Sequence, residues 1–404
     1  MTDSILDDVW RREAPHVLGA LLRRYGDFGD CEEALQDAAE AAAAQWPVDG
    51  VPDAPRAWLI TVASRRLIDR ARTDLARIRR ETLDAARRPP APQEVTTHDR
   101  DDTLRLFLLC CHPALTRSSQ VALCLRAVAG LGVEQIAAAY LVPVRTMTQR
   151  LSRARTALRQ AGARFVMPSQ RDLPDRVAAI IDVCHLVFTE GYARTSGEAL
   201  LDVRLAEEAI RLIRQLHAAL PDHDEVAGAL ALMLLTHARS PARVDTAGDL
   251  VPLAVQDRSL WRRDLISEGV DLLEQTLPGG HVGRFQLQAA IAAVHAEAAT
   301  YEETDWLQIS LLYDMLGRAA PGPAVTLNHA VAVAMAHEPA TGLAMLEPLL
   351  DDPAMQRHHR LYAVRGHLLD LNGDAEAAKE HYRIAARLTA SLPEQRYLNR
   401  KLTS

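Results

Sequence analysis

Aromatic residues and lysine are both scarce in this sequence. Phe, Trp and Tyr make up 4% of the 404 residues, and lysine occurs only as Lys379 and Lys401. Strands favour β-branched and aromatic side chains, whereas Ala and Leu, which abound here, favour helices. The composition therefore predicts an all-α fold.

Long apolar runs are also missing. No uninterrupted apolar stretch reaches the roughly 20 residues that a membrane-spanning helix needs. The first residues carry Asp3, Asp7 and Asp8 in place of an apolar secretory core. These absences predict a cytoplasmic protein without a membrane partner.

Cysteine is sparse, and no Cys-x-x-Cys pair occurs. Cys110-Cys111-His112 has metal-binding residue types, but adjacent cysteines are poorly placed around one tetrahedral metal, and no second ligand pair follows. We therefore expect no metal and no cofactor. Small buried side chains are the expected role of the five cysteines, which are Cys31, Cys110, Cys111, Cys124 and Cys184.

The length and the charge distribution both indicate several domains. A chain of 404 residues exceeds what one hydrophobic core usually serves. Residues 55–165 contain 20 Arg against 9 acidic residues, whereas residues 166–404 contain 22 basic and 32 acidic residues. A basic segment beside an acidic one predicts that the basic segment meets a polyanion.

Helical periodicity and proline clusters divide the chain into four sections. Within residues 1–85 the pattern predicts three helices, through Val9 to Tyr25, from Asp30 to Trp46 and from Pro55 onward. The three prolines of residues 47–55 predict a break between the second and third helices. The Pro-rich residues 86–102 predict a linker. Helices return over 103–165 and again over 170–404.

The last section contains a weak repeat of 34 residues. Ala332 aligns with Gly366, and Ala344 aligns with Ala378. The spacing of small and aromatic residues from Gly366 to Ala385 is typical of a tetratricopeptide repeat, in which helix pairs stack. An irregular helical domain with one or two such hairpins and a full solenoid both fit this pattern.

A helix-turn-helix is the strongest local signal. Val133 and Ile136 predict a short helix, and Leu141 to Pro143 predict a turn after it. A second helix with one apolar stripe is predicted by the spacing of Val144, Met147, Leu151, Ala154 and Leu158. From Arg145 to Arg164 there are six Arg and no acidic residue. This pattern is typical of a recognition helix in the major groove, although a solvated basic face would look similar.

A second basic segment precedes it. Between Arg56 and Arg88 there are ten Arg against four acidic residues. Trp58 and Leu59 would anchor its inner face, which leaves the arginines for phosphate contacts beside the Pro-rich loop. Two basic elements joined by a linker could span two separated DNA sites.

These segments resemble a known family. Pro55 to Asp69 resembles region 2 of the extracytoplasmic-function sigma factors of the sigma-70 family, and Gly132 to Arg155 resembles their region 4. Asp30 to Trp46 resembles the helix with which such factors bind the polymerase clamp. The resemblance covers about residues 5–165 and implies a non-enzymatic protein that directs core RNA polymerase to promoters.

The resemblance also implies partners and site residues. The partners would be promoter DNA and core polymerase, bound through its β′ clamp and β flap. Residues implied to face the clamp are Asp30, Glu33, Gln36 and Asp37. Residues implied to bind the −10 element are Asp49, Val51, Asp53, Trp58, Arg65, Arg66, Arg70 and Arg72. Residues implied to read the −35 element are Arg145, Thr146, Thr148, Gln149, Arg150 and Arg153.

The section from 170 to 404 resembles the C-terminal extension of one sigma subgroup. The resemblance lies in Phe188 to Gly197, Thr304 to Trp306 and Leu327 to Ala330. In that subgroup a tetratricopeptide-like region replaces a separate anti-sigma protein as regulator. The candidate regulatory residues are Phe188, Glu190, Gly191 and Tyr192. An exposed turn here would contact the sigma regions or an unknown partner, whereas a buried one would be a packing motif.

Two other classes of protein explain less of the sequence. A one-component regulator with a helix-turn-helix and a helical sensor domain accounts for residues 101–404 but leaves the 30–72 segment unused. An enzyme would need Glu190 or the His358-His359 pair, and neither has partners at a catalytic or metal spacing. The histidine pair instead predicts a solvated helix face.

Overall fold

The computed structural model describes residues 2–81, 99–277 and 282–403, with side chains for 9–72, 102–277 and 282–403. The chain divides into two compact units, Met1–Cys184 and His185–Ser404. Most of the predicted linker at 86–102 lies outside the described residues.

The first unit is helical. A turn of π-helix at Cys124–Val128 follows its fifth helix, and its eighth helix continues into the second unit. The helices are α1 Thr2–Tyr25, α2 Phe28–Asp49, α3 Pro55–Glu81, α4 Asp99–Cys110, α5 Arg117–Leu123, α6 Val133–Ala139, α7 Val144–Gln160 and α8 Leu173–Tyr192.

The ends of α2 follow from local chemistry. The side chain of Asp27 accepts a hydrogen bond from the Asp30 backbone N–H at 2.9 Å, which caps the helix start. The predicted interruption at 47–55 is confirmed for residues 50–54, which separate α2 from α3, but its start is wrong, since α2 runs through Pro47 to Asp49. Pro47 lies in the last turn, where it removes only one backbone donor, and Gly50 ends the helix with a positive φ of 85°.

The helix-turn-helix is confirmed. Ile136 and Ala137 of α6 and Met147, Leu151, Ala154 and Leu158 of α7 are buried together. Leu141 turns the chain between the helices with a φ of 49°. The placement of Val144 on the apolar stripe is wrong: its side chain is 44% exposed, because it occupies the first position of α7, beyond the packed turns.

The second unit is also helical, apart from two parallel two-residue strands, β1 Ser196–Gly197 and β2 Ala390–Ser391. The all-α prediction is confirmed. The helices are α9 Val203–Ala219, α10 Asp224–His237, α11 Arg263–Thr276, α12 Arg284–Glu297, α13 Trp306–Ala319, α14 Pro323–Ala336, α15 Pro339–Leu350, α16 His359–Leu371, α17 Ala375–Leu388 and α18 Leu392–Arg400.

Successive helices of this unit pack as neighbours. From α13 to α17 each helix packs on the next, as expected of stacked hairpins. The small residues of the predicted repeat allow close approach, since a Cβ on Gly366 would lie 2.9 Å from the Tyr382 ring, and Ala378, Tyr382 and Ala385 are buried. The 34-residue spacing therefore coincides with the hairpins α14–α15 and α16–α17.

None of the described helices is both long enough and apolar enough to cross a membrane.

Candidate nucleic-acid interface

The outer face of α7 carries the predicted −35 residues. Arg145, Thr148, Gln149 and Arg153 are exposed, and Thr146 and Arg150 are half-buried. Their hydrogen bonds stay within the helix: the Thr148 hydroxyl donates to the Val144 carbonyl at 3.0 Å, and the Arg153 Nε donates to the Gln149 carbonyl at 3.4 Å. Among the described residues none of the three arginines forms an ion pair, so this face keeps its positive charge.

The inner face of α7 is used differently. Arg155 forms an ion pair with Glu32 of α2, and Arg159 Nε lies 3.2 Å from Asp27 Oδ2. Glu32 is 2% exposed and also binds Arg126, with 3.0 Å between Nε and Oε1. The helix-turn-helix is therefore held against α2 by a buried carboxylate between two guanidinium groups.

Sequence reasoning missed Glu32. The signal was its position, four residues after Phe28 and three before Leu35, both of which are buried on the same face of α2. A second contact supports the same packing, since the Trp10 indole donates a hydrogen bond to the Gly130 carbonyl at 3.0 Å.

The predicted clamp-facing residues lie along one side of α2. Asp30 and Glu33 are exposed, and Gln36 and Asp37 are half-buried. Burial and the neighbouring carboxylate of Asp27 raise the pKa of Asp30. This surface is therefore acidic, and a basic partner would stabilise its ionised carboxylates.

Arg70 was predicted to bind the −10 element, but it contacts the acidic side of α2. Its guanidinium lies 3.0 Å from Glu33 and 2.8 Å from Asp37. It joins α3 to α2 at the surface predicted for polymerase. The structure thus brings together residues that the resemblance had placed at two different partners.

The other predicted −10 residues surround the α2–α3 junction. Asp49, Val51 and Asp53 are exposed, as are Arg65, Arg66 and Arg72 of α3. Trp58 is half-buried, with its ring centroid 5.4 Å from that of Trp46 in an edge-to-face arrangement. The indole pair fixes the junction on its inner side and leaves the loop and the arginines facing outward.

The candidate regulatory residues of α8 are largely packed. Phe188 is buried, and a Cβ on Gly191 would lie 2.4 Å from the Ala206 backbone nitrogen. Tyr192 stacks on Arg243, and its hydroxyl accepts a hydrogen bond from Arg239 at 2.8 Å. Burial raises the pKa of Tyr192, but the two guanidinium charges outweigh it and lower the pKa overall. Glu190 is half-buried and accepts hydrogen bonds from Thr195. This environment is that of a packing motif between helices.

The expectation for the cysteines is confirmed. All five are buried thiols, with 3.5 Å between the Sγ atoms of Cys111 and Cys124, and burial raises the pKa of Cys184 well above its ordinary value. The expectation for His358-His359 is only half right, because His359 Nε2 lies 3.0 Å from Glu394. Within the described residues no group of three or more ligand side chains could hold a metal.

The fold and this site define a class of protein. A helix-turn-helix with an unpaired basic face, packed on a helical domain with a second basic helix, is the architecture of a DNA-binding transcription protein with two DNA-facing elements.

Comparisons with known proteins specify the family. Residues 9–78 match the sigma-70 region 2 family, and residues 176–277 match a family of unknown function, DUF6596. The chain is 40% identical over 398 residues to the uncharacterized protein R00370 of Rhizobium meliloti, covering 96% of this chain and 93% of that protein. It is 29% identical over 182 residues to the probable ECF RNA polymerase sigma factor SigI of Mycobacterium tuberculosis, covering 43% of this chain and 61% of that protein.

The chain therefore carries a sigma-70 region 2 near its N-terminus and a DUF6596 region after it, a combination consistent with an extracytoplasmic-function sigma factor that has a C-terminal extension. The sigma-70 family is non-enzymatic and acts with core RNA polymerase on promoter DNA.

Proposed function

We propose that this protein is a sigma factor that directs core polymerase to a specific set of promoters in the cytoplasm, and that its own C-terminal extension controls it. In this proposal residues 1–85 form region 2, residues 103–165 form region 4, and residues 170–404 form the regulatory extension. The observation that carries the proposal is the division of α7 into an unpaired outer face and an ion-paired inner face.

Region 4 would read the −35 element with the outer face of α7. The first turns present Arg145, Thr146, Thr148 and Gln149 for base edges, and Arg150 and Arg153 lie toward phosphates. While the α2–α7 ion pairs are closed, Arg155 and Arg159 are held by α2 and are not available for this contact.

Region 2 would bind the −10 element at the α2–α3 junction. An exposed loop with Asp49, Val51 and Asp53 is suited to hold an unstacked base, and Arg65, Arg66 and Arg72 are suited to hold the adjacent backbone. Arg70 would not contact DNA but would position Glu33 and Asp37. These two residues would bind the β′ clamp together with Asp30 and Gln36.

The ion pairs of Glu32 define a closed form of the sigma regions. The −10 and −35 elements are centred about 25 base pairs apart, or about 85 Å at 3.4 Å per base pair. Helix α7 has 17 residues and is only about 25 Å long. A helix of this length cannot contact α2 and also reach a site that far from region 2. We therefore propose that the α2–α7 ion pairs open when the promoter complex forms.

In vitro transcription with purified core polymerase tests the proposal. Three proteins are compared: the full chain, a truncation after Phe165 and a truncation after Tyr192. The longer truncation is needed because α8 contacts α5, with Arg117 Nη1 donating to the Ala179 carbonyl at 3.0 Å. Transcription that requires both core polymerase and this protein supports the sigma role, and a change of activity on truncation gives the direction of control.

Two outcomes would contradict the proposal. If no protein supports transcription but the full chain binds promoter DNA tightly without polymerase, the one-component regulator is the better assignment. If both truncations transcribe as the full chain does, the extension does not control the sigma regions.

A further inference from the structure

The second unit contains a cavity of about 420 Å³ that the sigma function does not use. Helices α10, α12, α13 and α14 enclose it, with His185 of α8 at one side. Its size lies within the range typical of small-molecule sites. The exposed residues Ala324 and Asn328 of α14 mark its mouth.

The lining is apolar with a few converging polar groups. Leu232, Ile291, Leu316 and Val325 supply much of the wall. The lining contains one arginine, Arg239, and no acidic residue. The polar lining residues are His185, Arg239, Gln288, His295, Tyr313 and Asn328.

The charge of Arg239 is not compensated by a carboxylate. Among the described residues Arg239, Arg243 and Arg258 form no ion pair; they are held by Tyr192, by backbone carbonyls and by the ring of Trp261. Arg243 and Arg258 are buried. Of the three, Arg239 is the one that lines the cavity, and its guanidinium group without an ion pair makes the cavity attractive to an anion.

His295 gives an independent indication of a missing ligand. Its Nδ1 is buried without a hydrogen-bond partner, on the wall of the same cavity. Burial and then the charges of Arg239 and Arg258 lower its pKa to about 3, so the imidazole is neutral and cannot add to the positive charge. An unpaired buried polar atom of this kind is costly unless a ligand or water satisfies it.

Residues of three sequence segments lie in the cavity lining or behind it. Tyr192 accepts a hydrogen bond from Arg239, Trp306 packs edge-to-face on His295 with 5.2 Å between centroids, and Asn328 lines the mouth. Tyr192 and Trp306 thus contact lining residues from behind, whereas Asn328 is part of the lining. These residues belong to the three segments by which the sequence resembles the extended sigma subgroup.

We propose that the extension binds a small organic monoanion, a carboxylate with an apolar body, in this cavity. Arg239 binds the carboxylate, and the apolar wall receives the body. A single guanidinium group in a lining with no second arginine or lysine favours a monoanion over a dianionic phosphate, whose second charge would be left uncompensated. This site does not depend on the sigma assignment.

Binding of 2-naphthoate and of its uncharged amide, 2-naphthamide, to the full-length protein tests the proposal. Saturation-transfer NMR and quenching of tryptophan fluorescence at pH 7 measure both dissociation constants. For a probe of this size we expect a dissociation constant on the order of 1 mM for the carboxylate. The carboxylate should bind about tenfold more tightly than the amide, because only it pairs with Arg239.

Two variants locate the binding. Arg239→Met keeps the apolar stem and should abolish the tenfold preference, whereas Ala324→Leu narrows the mouth and should weaken both probes equally. Arg318→Met, at an exposed arginine outside the cavity, should change neither. Equal affinity of the two probes for the wild-type protein, an absence of saturable binding, or binding that neither cavity variant weakens would each overturn the proposal.

Discussion

The buried carboxylate of Glu32 gives the sharpest test of the first unit. Substitution Glu32→Gln keeps the shape of the side chain and removes its charge. Arg126, whose side chain is only 11% exposed, then loses its counter-ion in a buried site. Arg155 is 31% exposed and can be rehydrated, so it contributes less to the loss.

The expected magnitude follows from that difference in burial. Removal of one partner from a buried ion pair costs about 3–5 kcal/mol, because the remaining charge is left uncompensated. We expect about 3 kcal/mol for Glu32→Gln, the lower end, since Gln still accepts a hydrogen bond. The matched control is the next residue: Glu33→Gln removes a carboxylate that is 67% exposed and should cost less than about 0.5 kcal/mol.

Urea unfolding of the full-length variants gives the free energies, and hydrogen exchange locates the change. Faster exchange is expected in α2 and α7, while amides of the second unit stay unchanged. A Glu32→Gln protein within 0.5 kcal/mol of the Glu33→Gln protein, with unaltered exchange in α7, would refute the buried ion-pair network.

Three further outcomes are expected. Arg150→Ala should weaken promoter binding and reduce the slope of log affinity against log salt concentration by about 1. Arg357→Ala, at an exposed arginine of the extension, should change neither quantity. Equal effects of the two substitutions in a salt titration would contradict the placement of the recognition helix. His295, with a folded pKa of about 3, stays neutral while the unfolded chain takes up a proton below about pH 6.5, so stability is full above that pH and falls toward pH 3. This difference in pKa lowers the free energy of unfolding by about 2 kcal/mol at pH 5. In His295→Gln, the dependence of that free energy on pH, measured by urea unfolding, should therefore be flatter. Gly366→Ala should destabilise the extension by about 1–3 kcal/mol, because the added Cβ would meet the ring of Tyr382. Gly317→Ala has open space around it and should stabilise α13 by about 0.5–1 kcal/mol. Thermal unfolding that ranks the two variants in reverse would refute the close packing at Gly366.

Much of the first unit was predictable from sequence because the relevant interactions are local. The cap at Asp27, the apolar spacing of Met147 and Leu151 and the acid-free outer face of α7 all involve residues within a few positions of one another. Helix periodicity transmits such patterns directly into structure. The class of fold and the position of the helix-turn-helix required nothing more.

The tertiary structure decided which charges remain available. Glu32 and Arg126 are 94 residues apart, and no spacing rule predicts that they meet or that Arg155 joins them. Arg70 and Asp37 are 33 residues apart, and only the packing of α3 on α2 brings this arginine to the acidic side of α2. The cavity of the extension likewise needs side chains from five helices. Local propensity fixes the direction of a side chain relative to its own helix, but burial and charge pairing depend on which helices pack together, and that is settled only by the shared core.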